Sequence, residues 1–134
     1  MWGAAIARAW GMNLSIIRQP RLLIPVSLCL WTLGFLLLFT GRFGLGNSFR
    51  IGSPNESTAL KTGGLFSLSR NPMYIGVYCT LLGSTLYTLN PIVLLVSLFV
   101  VAVHHKIALA EEAHLRQAFD SEYADYCRRV RRYL

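Results

Sequence analysis

The feature that most constrains this chain is a long stretch, residues 71–105, that contains no Lys, Arg, Asp or Glu. As one straight helix it would extend about 50 Å, whereas the hydrocarbon core of a bilayer is about 30 Å thick. Asn90-Pro91 is the natural break, because proline cannot continue a helix from its interior and biases the preceding residue away from helical angles. The sequence therefore predicts a hairpin of two membrane helices, residues 73–89 and 91–110, with a very short connection.

A second apolar stretch, residues 22–41, is also uncharged. Its length of about 20 residues is enough for one helix across a bilayer. Arg18 and Arg21 precede it, where basic side chains anchor a helix end among lipid headgroups. In residues 1–20, apolar side chains share one helical face: Trp2, Ile6, Trp10, Leu14 and Ile17. This pattern favours a helix that lies in the membrane interface, and a fourth, poor span is the alternative.

Composition and charge also indicate that the chain lies in a membrane. The chain is 54% hydrophobic and 14% charged, which is too apolar for an ordinary soluble domain. Its net charge is +7, but the basic residues flank apolar runs and so suggest anionic lipids instead of nucleic acid. The three cysteines are too scattered for a disulfide framework and are expected to be reduced. The chain is predicted to be one all-α integral membrane domain, residues 1–134, with about three spans.

The distribution of basic residues predicts the orientation of this multi-pass protein. Three spans place the connection 42–70 and the segment after residue 110 on the same side of the membrane. Both are rich in Arg and Lys, so both are expected to be cytoplasmic. Residues 111–132 are predicted to form amphipathic helices with a stop and a new start at Asp120-Ser121. The arginines near the end of this segment are expected to bind anionic headgroups: Arg128, Arg129, Arg131 and Arg132.

Polar residues flank the predicted hairpin at its cytoplasmic end. Arg70, Asn71 and Pro72 precede the first helix, and Glu111 and Glu112 follow the second. Because the two helices are antiparallel neighbours, we expect these residues at similar depth. Proline at the first helical position leaves free amide donors that favour a carboxylate or phosphate, whereas glutamates accept hydrogen bonds from an ammonium. The sequence predicts a site for a ligand that carries both a carboxylate and an ammonium.

Two segments, LKTGGLFSLSRNPMYIG and EEAHLRQAFDSEYADYCRRV, resemble a known family in order and spacing. They are similar to the membrane methyltransferases grouped around isoprenylcysteine carboxyl methyltransferase and phosphatidylethanolamine N-methyltransferase. The resemblance covers residues 60–130 and implies that S-adenosylmethionine (SAM) binds at the cytoplasmic end of the helices, with the methyl acceptor entering from the bilayer. The cofactor-binding residues that it implies are Leu60, Lys61, Phe66, Arg70, Asn71, Pro72, Met73, Tyr74, Glu111 and Glu112.

The chain departs from the pattern of that family at three positions. Asn71 replaces the commoner histidine, which favours an amine or lipid acceptor. Asp120 replaces a glycine. Ile107 occupies the position of an arginine that binds substrate in the prenylcysteine enzymes. His105 and Lys106 are therefore the expected substrate-binding residues.

Methyl transfer from a sulfonium is a direct displacement, so no catalytic nucleophile is expected among the side chains. No metal site is expected either, because His104 and His105 lack a third ligand at metal spacing. The expected partners are membrane lipids and a hydrophobic methyl acceptor, and a second copy of the chain could complete the acceptor pocket. Two other functions stay open: an NADPH-dependent enzyme like the sterol reductases, and a non-enzymatic membrane scaffold that retains the methyltransferase fold.

Overall fold

The computed structural model describes Gly3, Trp10, residues 20–45, Leu60 and residues 62–134. Most of the predicted helix at residues 1–20 and about half of the predicted connection 42–70 therefore lie outside the described residues. The described ranges hold three α-helices and no strand: α1 (Leu23–Leu45), α2 (Pro72–Thr88) and α3 (Pro91–Arg129). A short 3-10 turn, Gly64–Ser67, precedes α2. The all-helical class that the sequence predicts is confirmed for these residues.

Helices α1 and α2 pack closely along small residues. A Cβ atom built on Gly34 would lie 2.7 Å from the carbonyl oxygen of Gly76, and one built on Gly76 would lie 2.8 Å from that of Gly34. The indole nitrogen of Trp31 donates to the Thr80 carbonyl oxygen at 3.3 Å and to the Ser84 hydroxyl at 3.2 Å. Close backbone approach with interhelical hydrogen bonds is how helices associate in lipid, where apolar side chains supply no hydrophobic driving force.

The burial pattern of the helices is reversed relative to a water-soluble protein. Buried hydroxyl residues donate to a carbonyl oxygen four residues earlier in their own helix: Ser27, Ser84, Thr88 and Ser97. Large apolar side chains face outward instead, among them Leu36, Phe39 and Phe99, which are 57%, 62% and 70% exposed. A continuous apolar surface of this kind suits hydrocarbon and is not tolerated by a soluble monomer. These observations describe a membrane protein.

Two helices are long and apolar enough to cross a membrane among the residues that the structure describes: Leu23–Gly44 and Pro91–Arg129. Helix α2 has 17 residues and is shorter than a typical span. The number of spans and the orientation of the chain in the membrane therefore stay predictions.

A two-residue turn joins α2 to α3. Leu89 takes left-handed angles (φ 42°, ψ 43°), and the Asn90 side chain caps α3 by accepting from the Ile92 amide at 2.9 Å. The Thr85 and Ser97 hydroxyls then meet across the two helices at 2.9 Å. The chain therefore reverses direction at Asn90, where proline begins the new helix without needing an amide donor.

Helix α3 continues far beyond residue 110, where the sequence predicts the end of a span. Its part before Asp120 is about 40 Å long, so one end extends well past a hydrocarbon core. Asp120 has non-helical angles (φ 35°, ψ −109°) and divides the helix into two parts. The helix ends at Arg129, and Val130 takes extended angles (φ −123°, ψ 130°). Residues 130–134, which we name the C-terminal segment, then fold back towards the start of α2.

Candidate functional site

The C-terminal segment is attached to the residues that precede α2. The Arg70 amide donates to the Arg131 carbonyl oxygen at 3.0 Å. The carbonyl oxygen of Arg132 accepts from the Ser69 hydroxyl at 3.1 Å and from the Asn71 side-chain amide at 3.2 Å. These three hydrogen bonds fix the segment beside the first turn of α2, and they bring Arg132 to a carboxylate on α3.

Glu112 is the centre of this attachment. Arg132 binds it with two parallel hydrogen bonds, Nε to Oε1 at 2.8 Å and Nη2 to Oε2 at 3.1 Å. Arg70 approaches Oε2 at 3.4 Å, and the Asn71 side-chain amide donates to Oε1 at 3.3 Å. The carboxylate is buried, with 6% of its side chain exposed. Paired arginines and an amide satisfy the charge and the hydrogen-bonding capacity of this buried carboxylate.

These contacts determine the protonation state of Glu112. Burial by itself raises the pKa of the Glu112 carboxyl, but the Arg132 hydrogen bond, the charges of Arg70 and Arg132 and the Asn71 hydrogen bond hold that pKa below its usual value. The same hydrogen bond raises the pKa of the Arg132 guanidinium. Glu112 is therefore ionised near neutral pH, and both of its oxygens already accept from protein donors.

The sequence-based expectation for Arg132 is wrong. Its guanidinium binds Glu112 instead of lipid headgroups, because the extended backbone after Arg129 directs the C-terminal segment back to the helices. Arg128 differs, since it is exposed and pairs with exposed Asp125 three residues earlier in the same helix.

A buried, mainly aromatic cluster packs beside the contact between the C-terminal segment and the start of α2. It contains Phe66, Tyr123, Tyr126 and Val130, with Leu60, Leu115, Phe119 and Cys127 packed against it. The Tyr126 hydroxyl donates to the Phe66 carbonyl oxygen at 2.5 Å, and burial raises the pKa of Tyr126 to about 12. Arg70 Nη1 donates to the Tyr123 hydroxyl at 3.4 Å and to Cys127 Sγ at 2.7 Å. The cluster thereby connects the turn before α2 to the last helical turns of α3.

A second group of polar side chains lies where α2 faces α3. The Tyr74 ring meets the His104 ring edge to face, with ring centroids 5.8 Å apart. The Tyr74 hydroxyl lies close enough to Glu111 for the charge of that carboxylate to act on it, and Glu111 is exposed, unlike its neighbour Glu112. His104 Nδ1 lies 2.8 Å from the Val100 carbonyl oxygen. Glu111 therefore keeps acceptor capacity for a further partner.

A third group connects α2, α3 and the C-terminal segment. The Tyr133 hydroxyl lies 2.8 Å from His105 Nδ1 and 3.2 Å from the Tyr78 hydroxyl. His105 is half-buried, whereas Lys106 is exposed. Of the two residues expected to bind substrate, His105 is thus the one that other elements of the protein hold in place.

The structure brings together the predicted residues at the start of α2 and those at the middle of α3. Arg70 and Asn71 contact Glu112, and Tyr74 lies near Glu111. The other predicted residues lie elsewhere: Leu60 and Phe66 in the aromatic cluster, Pro72 buried at the start of α2, Met73 beside Gly41 of α1, and Lys61 outside the described residues. The functional roles of all these residues stay predictions.

Sequence reasoning missed the residues that the C-terminal segment contributes. Arg132 and Tyr133 contact Glu112 and His105. One signal was present: a glutamate that follows a membrane helix and becomes buried needs cationic partners, and the chain has a surplus of arginines near its end. Nothing in the sequence indicates which arginine returns to the helices. Among the described residues, no three His, Cys, Asp or Glu side chains come together to hold a metal ion.

Comparison with known proteins adds two findings. The family model described as phospholipid methyltransferase matches residues 22–122. The chain is also 29% identical over 119 residues to the Protein-S-isoprenylcysteine O-methyltransferase of Saccharomyces cerevisiae, and the match covers 80% of this chain and 49% of the yeast protein. The chain thus spans about half the length of that relative. No solved structure matches it.

Proposed function

Since the chain belongs to the phospholipid methyltransferase family, we propose that it transfers a methyl group from SAM to a lipid or another small hydrophobic acceptor at the membrane. One observation carries this proposal. The matched region, residues 22–122, includes the start of α2 and the Glu111-Glu112 pair, and these two segments are in direct contact in the folded chain. A site at this junction has both amide donors and a carboxylate acceptor.

The residues present fit the two ends of the amino acid part of SAM. Asn71, the residue before α2, makes no side-chain hydrogen bond that caps the helix, and Pro72 has no amide hydrogen. The amides of Met73 and Tyr74 in the first turn are thus donors for a carboxylate, with the positive end of the helix behind them. Exposed Glu111 is the matching acceptor for an ammonium.

The two glutamates take different roles in this proposal. Glu112 has both oxygens occupied by Arg70, Arg132 and Asn71, so it stabilises the junction of α2, α3 and the C-terminal segment. Glu111 lies near Tyr74 and is exposed, so in this proposal it contacts the ligand. This division assigns the cofactor contact to one glutamate and the geometry of the site to the other.

SAM supplies an activated methyl group on a positively charged sulfur, and the protein aligns the acceptor with it. The Tyr74 ring stands beside the site, where an aromatic face stabilises a cation. The C-terminal segment covers the junction and limits the access of water, which favours a displacement between bound partners. The exposed apolar faces of α1 and α3 leave a lipid acceptor free to approach from the bilayer.

The test is titration of the detergent-solubilised protein with SAM by calorimetry, beside NADPH. We expect saturable binding of SAM and a loss of at least about tenfold in affinity for Glu111→Gln, because a charge-assisted hydrogen bond is worth about 1.5–3 kcal/mol. Glu122→Gln is the matched control, since Glu122 is an exposed glutamate on the same helix, beyond the kink at Asp120.

The outcomes separate the three functions. Binding of NADPH without SAM would favour the reductase. Binding of SAM without methyl transfer to phosphatidylethanolamine or to an S-farnesylcysteine would favour the scaffold. If neither compound binds, or if Glu111→Gln behaves like Glu122→Gln, the proposed site is wrong.

A further inference from the structure

The two adjacent histidines of α3 have opposite hydrogen-bonding arrangements. His104 Nδ1 lies 2.8 Å from the Val100 carbonyl oxygen of its own helix. Because a carbonyl oxygen only accepts, Nδ1 of His104 carries the hydrogen and its Nε2 is an acceptor. His105 Nδ1 instead lies 2.8 Å from the Tyr133 hydroxyl, which can donate or accept.

The hydrogens of neutral His105 and its two tyrosine partners can be arranged in two ways. The Tyr133 hydroxyl is also 3.2 Å from the Tyr78 hydroxyl, and within the described ranges Tyr78 has no other acceptor. If His105 Nδ1 donates to Tyr133 and Tyr133 donates to Tyr78, the Tyr78 hydrogen has no described acceptor. If Tyr78 donates to Tyr133 and Tyr133 donates to His105 Nδ1, both hydroxyl hydrogens have acceptors and the hydrogen of His105 stands on Nε2. An acceptor supplied at Nε2 then completes this second arrangement and favours it over the first.

This tautomer gives His105 a donor that the rest of the described chain does not use. No described side chain or carbonyl accepts from His105 Nε2, and this atom is not among the fully buried ones that lack a partner. Glu112, on the same helix, is occupied by the arginines. The neighbouring residue, Lys106, is exposed and adds positive charge. A donor beside a cation at the polar end of a membrane helix is suited to an oxyanion.

We propose that His105 donates from Nε2 to an oxyanion of the methyl acceptor, and that Tyr133 is the positioning residue that holds His105 in this tautomer. This proposal rests on the proposed methyl transfer. The chemistry recognised is a carboxylate or a phosphodiester carried by a lipid-like molecule. Tyr133 acts through His105 and does not itself touch the acceptor.

The experiment is nitrogen-15 NMR of the detergent-solubilised protein with labelled histidine, because the shifts of the two ring nitrogens report the tautomer. The His105 signals are identified by their loss in His105→Gln. We expect the hydrogen on Nε2 for His105 and on Nδ1 for His104 in the unmodified protein. Tyr133→Phe should convert His105 to a tautomer mixture while His104 stays unchanged. Tyr78→Phe is the matched control, since it removes one hydroxyl but leaves the Tyr133 donor.

Titration with chosen probes then tests recognition. N-acetyl-S-farnesylcysteine carries a carboxylate, and its methyl ester is the neutral control; phosphatidylethanolamine carries a phosphodiester, and a diacylglycerol is the neutral control. We expect an oxyanion probe, but not its neutral control, to shift the His105 Nε2 hydrogen, and Tyr133→Phe to weaken that probe about fivefold, the size of one ordinary hydrogen bond. The probe that shifts the His105 Nε2 hydrogen identifies the oxyanion as a carboxylate or as a phosphodiester.

Three results would overturn the proposal, whether or not SAM binds in the separate calorimetry. The first is a hydrogen on Nδ1 of His105 in the unmodified protein. The second is the absence of any shift with both oxyanion probes. The third is a shift caused by SAM alone, which would assign the donor to the cofactor carboxylate. Because the tautomer is read without turnover, failure of this proposal is distinguishable from failure of the proposed methyl transfer.

Discussion

Two regions of this molecule are stable for opposite reasons. Where α1 meets α2, the described contacts are uncharged and depend on glycines that let the backbones approach, with Gly34 and Gly76 facing each other. Where the C-terminal segment meets α2 and α3, a buried carboxylate, Glu112, is enclosed by Arg70 and Arg132. The first region tolerates lipid as its solvent, and the second needs complete pairing of its charges. A change of shape should damage the first, and a change of charge the second.

The largest loss of folding stability is expected from Glu112→Ala. It leaves buried Arg70 without its carboxylate and releases the C-terminal segment, and removal of one partner of a buried ion pair costs about 3–5 kcal/mol. The measurement is thermal unfolding of the purified protein in detergent. Asp125→Ala is the control, because its pair with Arg128 is exposed, and we expect a change within about 0.5 kcal/mol. Equal effects of the two substitutions would contradict the comparison between buried and exposed charge.

A slightly smaller effect is expected from Gly76→Ala. The added methyl group would lie 2.8 Å from the Gly34 carbonyl oxygen and 3.0 Å from Leu38, so the helices must separate. Overpacking of this kind costs about 1–3 kcal/mol. Gly44→Ala is the matched control on α1, since among the described residues its added methyl group would meet Phe66 alone, at 3.7 Å. The same unfolding measurement applies, and comparable stability of the two variants would show that the close approach of α1 and α2 is not needed.

The pH dependence of stability should come from the region around Glu112, where the C-terminal segment meets α2 and α3. Because the folded pKa of Glu112 is lowered, its stabilisation is fully present above the ordinary carboxyl pKa of about 4.3 and is lost as the pH falls through the lowered folded value. We expect unfolding temperatures measured from pH 7 to pH 3 to fall further for the unmodified protein than for Glu112→Gln. Parallel curves would mean that the Glu112 carboxylate does not contribute to stability.

The smallest effect is a gain of stability at the kink of α3. Asp120 has a positive φ of 35°, a backbone region in which side chains are strained and glycine is not. Asp120→Gly should therefore stabilise the protein by about 1 kcal/mol. Ser121→Gly, one residue later in helical geometry, should destabilise it by up to about 1 kcal/mol. Two changes in the same direction would contradict this account of the kink.

The sequence predicts much of the helical framework because its signals are local. The uncharged stretch and Asn90-Pro91 place the turn between α2 and α3 within one or two residues of its observed position. Asp120-Ser121 marks the kink of α3, although the helix does not end at residue 110. The glycine that the resembling family has at position 120 acquires a physical reason only from the observed positive φ of Asp120.

The candidate site was predictable only in part. Arg70, Asn71 and Glu112 come together, as expected for antiparallel helices. The sequence does not indicate that Glu112 is buried whereas Glu111 is exposed. Adjacent residues on a helix point about 100° apart, so one is buried towards the C-terminal segment while the other stays exposed. Which of the two is buried depends on where that segment lies.

The sequence by itself determined that this chain is helical, apolar enough for a membrane, and similar to a family of methyltransferases, because composition, helix breaks and motif spacing are properties of neighbouring residues. Only the tertiary structure decided that Arg132 pairs with Glu112 and that Tyr133 contacts His105. Those contacts join residues about 20 and 28 positions apart. They form because the chain turns to extended geometry after Arg129, and burial then makes an unpaired charge or hydroxyl more costly than the ordering of five residues.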